Sequence, residues 1–350
     1  MMKGIVLAGI TVWSIALSAQ SSERVTVGKG DSGSAGIERA VSSLPADTET
    51  IVVANGPFGF TGKVDAKETK DSSISNKEIA SHFQGLPLGP IRFKDGLLSE
   101  QLEGKMIEFA VEGSRHFRSP TSLGEMPYEG CSIIFFVDNL RDEIGSFSKD
   151  SQHSIWHVEQ IEGHQVSVFQ EKMEQDTWTI FVTFPNEHLV LLATDRGYLA
   201  ETLARMQGKV GPRALPSNLP EWKYVDTQAP FWGLRHYDKS QSQFDPSSPY
   251  GGRKSANFPD EQAIGVTVAF DPERGRLATL TYFSGNLRIG VSPADTALGM
   301  AHSSDAKGLD AKYHELSPGI VQGTYSLENR QPVSFFVFVL EGILGHGIYL

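Results

Sequence analysis

"TWTIFVTFPNEHLVLLATDRGYLAETLARMQG", Thr177 to Gly208, carries two periodicities in one stretch, and the fold is read from them. Thr177–Phe184 and Leu189–Thr194 are runs of β-branched, aromatic and aliphatic residues of strand length. In the first run Trp178, Ile180, Val182 and Phe184 alternate with Thr177, Thr179, Phe181 and Thr183. Phe181 breaks a clean apolar–polar alternation, which predicts strands covered on both faces. The spacing then changes from two to about 3.6. Asp195 is placed to cap a helix, Leu199, Leu203 and Met206 share one face of it, and Gly208 closes it.

Strand-like runs recur along the chain at 50–54 (TIVVA), 105–111 (KMIEFAV), 132–138 (SIIFFVD) and 164–170 (HQVSVFQ). Ahead of them Ile37, Val41 and Leu44 stand at helical spacing, and Pro45 ends that short helix. A further helix is expected over 75–85 (SNKEIASHFQG), opened by Ser75 or Asn76 and stopped by Gly85. "FDPERGRLA" (270–278) reads as a hairpin turn, begun by Asp271-Pro272 and closed by Gly275. The run from Phe335 to Leu350 contains Glu341, His346 and three glycines, so it is expected to be a buried strand pair. Hairpin-joined strands with few helices predict the α+β class, with mostly antiparallel sheets.

Several segments find a counterpart later in the chain, in the same order. "LPADTETIVVANGPF" (44–58) is matched by "LPEWKYVDTQAPF" (219–231), and "HVEQIEGHQVSVFQEK" (157–172) by "HELSPGIVQGTYSLEN" (314–329). "DTWTIFVTFPNEHLVLLAT" (176–194) is matched by "RQPVSFFVFVLEGILGHGIYL" (330–350), with 132–138 and 277–285 falling between. This order predicts two similar sheet-and-helix units, 44–210 and 219–350, linked by the Gly- and Pro-rich 208–218. "LPADTE" and the strand-to-helix junction "LVLLATDRGYLAETLARMQG" resemble uncharacterised exported bacterial α+β proteins, some with duplicated sheet-and-helix units. The resemblance implies that architecture; it brings with it no activity and no site residue.

The N-terminus places Lys3 before an uncharged apolar run, Gly4–Leu17, and small residues at Ala16, Ser18 and Ala19. That is the layout of a secretory signal over 1–19, and it predicts a secreted or periplasmic protein. A Gly/Ser-rich segment and the short helix fill 20–43. Once the signal is cleaved no stable membrane span is expected. Among 350 residues, 39% are hydrophobic and 21% charged, ordinary values for a chain that buries a core. A formal charge of −11 with no basic run argues against nucleic acid as a partner. Cys131 is the single cysteine and opens an apolar strand, so it is expected to act as a small buried hydrophobe.

Candidate chemistry concentrates in two loops that share Arg-His-aromatic followed by Pro, Ser and Gly: 114–130 (SRHFRSPTSLGEMPYEG) and 234–252 (LRHYDKSQSQFDPSSPYGG). Both leave the ends of strands, where binding residues collect. Arg115, His116, Arg118, Arg235 and His236 together would suit an anion. His236 with Asp238 or Asp245 would form an acid–base pair, the carboxylate orienting the imidazole. The competing expectation is an ordered loop, in which Asp245, Pro246 and Pro249 make turns and Arg235 and Asp238 hold the backbone.

Other patterns carry less. "GDSGS" (30–34) has the local form of a trypsin-type nucleophile, but that chemistry needs a His and an Asp far upstream and little but the expected signal precedes Ser32, so a flexible segment or helix cap is expected. His153, His157 and His164 lead into a strand and a Gly163 turn; residues four apart on a strand stand about 13 Å apart, so no metal site is expected. Trp222, Tyr224, Phe231 and Trp232 are expected to pack against the face between the two units rather than present a stacking surface for sugars or peptides. No cofactor is implied. The expectation is an exported binding or structural module without catalysis, its partner a protein or small ligand. The alternatives are a hydrolase using His236, and an assembly factor that pairs through an exposed strand edge.

Overall fold

A computed structural model describes residues 33–59, 102, 104–116, 128–144, 156–173, 176–229, 231–236, 261–271, 275–284, 309–318 and 320–327. Helix α1 (Gly33–Ser43) precedes strands β1 (Thr50–Gly59), β2 (Met106–His116), β3 (Tyr128–Phe136), β4 (Trp156–Ile161), β5 (His164–Met173), β6 (Asp176–Asn186) and β7 (Leu189–Ala193). Helix α2 (Arg196–Met206) and a 3-10 helix (Pro220–Tyr224) lead into β8 (Phe231–His236). The remaining described strands are β9 (Glu261–Asp271), β10 (Gly275–Ser284), β11 (Leu309–Ser317) and β12 (Ile320–Leu327). The expected helix over 75–85 and the expected strand pair over 335–350 lie outside the described residues.

All twelve strands join one sheet in the order β11-β12-β10-β9-β8-β1-β2-β3-β7-β6-β5-β4. Every pairing is antiparallel, so the class is α+β. The sheet is continuous across the boundary anticipated between the two units, because β1 pairs with β8 from Thr50↔Arg235 to Ala54↔Phe231. The hairpins matched in the sequence, β4–β5 and β11–β12, stand at opposite ends of it. Asp271 pairs with Gly275, so 270–278 does close a hairpin.

Helices α1 and α2 lie on one face of the sheet's first half. Ile37, Val41 and Leu44 meet Leu199 and Leu203 over Ile51, Val53, Phe109, Val111, Ile133, Leu189 and Leu191. The opposite face is buried as well: Val52, Ala54, Ala110, Ile134, Ile180, Val182 and Leu192 are all at or below 6% exposure. Two covered faces explain why Thr177–Phe184 does not alternate cleanly, since Phe181 and Thr183 face the helices while Ile180 and Val182 serve the other side. Cys131 is buried at 2% exposure, and burial pushes its thiol well above the ordinary range. As expected, it is an inert core residue.

Helix α2 forms where the sequence places it. The Asp195 carboxylate accepts from the Tyr198 amide at 2.6 Å, satisfying one of the first-turn N–H groups. At the far end Gly208 takes φ of 101° and donates to the Arg205 carbonyl. The linking segment beyond it is pinned rather than loose. Ala214 and Leu215 are buried, and Arg213 grips Glu38 of α1 through two bonds of 2.7 and 2.9 Å.

Candidate functional site

β2 and β8 flank β1, and this brings both Arg-His dipeptides to one end of the sheet. Thr50 pairs with Arg235 on one side and Ser114 on the other. The preceding residue continues both contacts: the Glu49 amide donates to Ser114, and the Glu49 carbonyl accepts from the His236 amide. Two ionic groups are built around this end of β1.

The first is centred on Arg115. Its Nη1 donates to Asp47 and its Nε to Glu129, both at 2.6 Å. The guanidinium lies 5.2 Å from the centre of the Tyr198 ring. Burial opposes the charge, but the two carboxylates outweigh it and hold the guanidinium above its ordinary value. Beneath it, Thr48 donates its hydroxyl proton to the Pro45 carbonyl, so at the 2.7 Å contact between the hydroxyls Tyr198 is the donor. Burial raises the Tyr198 phenol well above its ordinary range. Arg115 therefore ties three segments of its own chain together.

The second group is a carboxylate–imidazole pair. Leu219-Pro220 opens the 3-10 helix with proline at its first position, where the missing N–H costs nothing. Trp222 anchors the turn: its Nε1 donates to the Pro216 carbonyl, its ring meets Trp232 edge-on at 5.9 Å, and Arg213 stacks over it at 5.1 Å. This turns Glu221 inward, leaving it 6% exposed. Its Oε1 lies 3.1 Å from Nδ1 of His236, a side chain that keeps 29% exposure. A carboxylate offers only acceptors, so Nδ1 carries the proton; in the neutral imidazole Nε2 then holds the lone pair. Glu221 Oε2 is buried without a hydrogen-bond partner, and so is Nε1 of Trp232. Such atoms cost stability when left unmet, and two of them mark the contact between the 3-10 helix and β8.

The candidate residues thus divide. Arg115 and His236 stand at the same end of the sheet in separate ionic groups. Arg235 is half-buried on β8 opposite Thr50 and Ile264. His116 pairs with Tyr128 at the end of β2. Arg118, Asp238 and Asp245 lie outside the described residues, and the acid beside His236 is Glu221, which precedes it by fifteen positions. Its one sequence signal is an acid set between Pro220 and Trp222 in a short turn that also carries Lys223. Of the aromatic cluster, Trp232 is a core residue at 3% exposure, while Trp222 and Tyr224 are half-buried. His157 and His164 occupy separate strands of the β4–β5 hairpin, and among the described residues no cluster of three metal-ligating side chains forms. Among the described residues no helix is long and apolar enough to cross a membrane.

These features define an α+β protein whose described strands form one antiparallel sheet, with a buried carboxylate against a partly exposed imidazole near one end of its central strands. Comparison with protein-family models, curated proteins and solved structures returned no match.

Proposed function

We propose that the protein is an exported, non-catalytic binding module whose ligand contact is the Glu221–His236 pair. The observation that carries this reading is the 3.1 Å contact between a buried carboxylate and a partly exposed imidazole, with the second carboxylate oxygen unmet. In the neutral imidazole the Nε2 lone pair is an acceptor on the partly exposed side of the pair, so it favours a small ligand with O–H or N–H donors, such as a polyol or an amine. Export is supported by the apolar run Gly4–Leu17 behind Lys3. Its check is mass spectrometry of the secreted chain, with an N-terminus at Gln20 expected.

Catalysis is the second reading, because the pair is also the base-and-orienter arrangement of many hydrolases. Against it, Glu221 is the one described side chain that hydrogen-bonds to the His236 ring, and the Cys131 thiol is buried on β3. A thermal-shift screen of small polyols and amines separates the two. Ligands that raise the melting temperature of the native chain should leave His236→Gln and Glu221→Gln unmoved. Equal stabilisation of all three proteins would remove the pair from the binding contact. Turnover of ester, phosphoester or glycoside substrates that disappears in His236→Gln would establish the hydrolase instead.

A further inference from the structure

The outer edge of β4 presents a definite set of backbone groups. The β4–β5 turn holds two residues, Glu162 and Gly163, with φ of 48° and 75°. Positive φ at both is the mirror-type turn of tight hairpins, in which the flanking residues, here Ile161 and His164, are hydrogen-bonded to one another. Bonded and non-bonded pairs alternate from there. Glu159–Val166 and His157–Val168 are bonded, so the N–H and C=O of Trp156, Val158 and Gln160 point away from β5. Among the described residues no strand occupies that side.

Sheet edges are commonly guarded by lysine, proline or a bulge. β4 (WHVEQI) has no lysine or proline, and its register with β5 is unbroken. Val158, at its middle, is 49% exposed, and His157 and Gln160 are exposed beside it. The opposite edge, β11 (LDAKYHELS), carries Lys312 near its centre.

We propose that β4 pairs antiparallel with β4 of a second copy of this chain, in the register that sets Val158 against the partner's Val158. Only residues with outward-directed groups can form bonded pairs, so the two-fold axis passes through a residue of β4. Through Glu159 it would oppose two carboxylates, through His157 two imidazoles, and through Trp156 or Gln160 the overlap shrinks. Through Val158 each His157 faces the partner's Glu159. One Glu159 oxygen lies 3.4 Å from Arg196, which leaves the other for the imidazole. Trp156 then exchanges bonds with the partner's Gln160, the two exposed valines pack together, and about six backbone hydrogen bonds form across the axis. This pairing is independent of the Glu221–His236 contact.

Sedimentation velocity of the whole chain, compared with Val158→Pro and Val158→Lys, tests the pairing. The Val158 amide takes no part in the β4–β5 ladder, so proline leaves the hairpin intact while blocking the edge. At about 100 µM, a concentration suited to a small interface, the native chain should sediment as a dimer and both variants as monomers with unchanged circular dichroism. Should Val158→Pro fail to fold, Val158→Lys decides alone, because it sets two ammonium groups against each other. Register is read from single cysteines at 157, 158 and 159: under mild oxidation Val158→Cys should cross-link at least tenfold faster than His157→Cys or Glu159→Cys. A monomeric native chain, a dimer that persists in Val158→Lys, or faster cross-linking at 157 or 159 would overturn the pairing.

Discussion

Arg115 shows how a residue suited to anion binding becomes a strut. Its Nε and Nη1 are taken by Glu129 and Asp47, and the side chain is only 16% exposed. Arg115→Met would remove the charge and leave two carboxylates close together at the sheet end. A loss of about 2 kcal/mol is expected, below the range for fully buried pairs because Asp47 retains some contact with water. Urea unfolding measures it, and ligands bound at Glu221–His236 should bind as before. Gly113 is constrained by space instead. A Cβ there would lie 2.5 Å from Cδ1 of Leu44 and 2.7 Å from the Tyr198 hydroxyl oxygen. Gly113→Ala should therefore cost about 2 kcal/mol by overpacking, seen as a lower thermal midpoint with an unchanged fold. The sequence singles out Arg115 and His236 because arginine and histidine at strand ends stand out in an acidic chain. It does not single out Glu221, whose role depends on a turn that carries its side chain to another strand.

The elements were legible where their periodicity is long. The two runs within 177–194, the capped helix after Asp195 and the hairpin about Gly163 all follow from side-chain spacing and turn chemistry. The Pro220–Tyr224 turn is too short to show a period, and the order of the strands depends on contacts remote in sequence, such as Ile51↔Leu234. The β4–β5 hairpin also reports on pH. At its tip His164 Nε2 lies 2.9 Å from Gln207 Nε2, whose amide also donates to the Glu162 carbonyl. An amide nitrogen is a donor, so His164 accepts here and must be neutral. Burial lowers the His164 pKa below its ordinary 6.5. The unfolded chain therefore takes up a proton on passing below 6.5 while the folded chain resists, and the stabilisation present above 6.5 is lost as pH falls. Urea midpoints compared between about pH 7.5 and pH 5.5 should decline less in His164→Gln than in the native chain. An equal decline would place the titration elsewhere.

A single sheet through both halves of the chain has a consequence for folding. β1 is central, with β2 on one side and β8 on the other, and Ile51, Val52, Val53 and Ala54 are all inaccessible. Trp232 and Leu234 of β8 belong to the same core as Ile51, Val53 and Leu203. The Arg213–Glu38 and Trp222–Trp232 contacts bind the connecting segment into that core. Cutting the chain at 208 would bare an apolar strand edge on β1 and remove the indole that packs beside it. A fragment ending at Gly208 is thus expected to aggregate or to unfold at a markedly lower urea concentration, because an exposed apolar edge recruits further chains. The intact chain should unfold in one step, with far-ultraviolet circular dichroism and tryptophan fluorescence giving coincident midpoints. Two separated transitions, or a soluble fragment as stable as the whole, would mean that β1 and β8 form an interface between independent domains instead of the middle of one cooperative sheet.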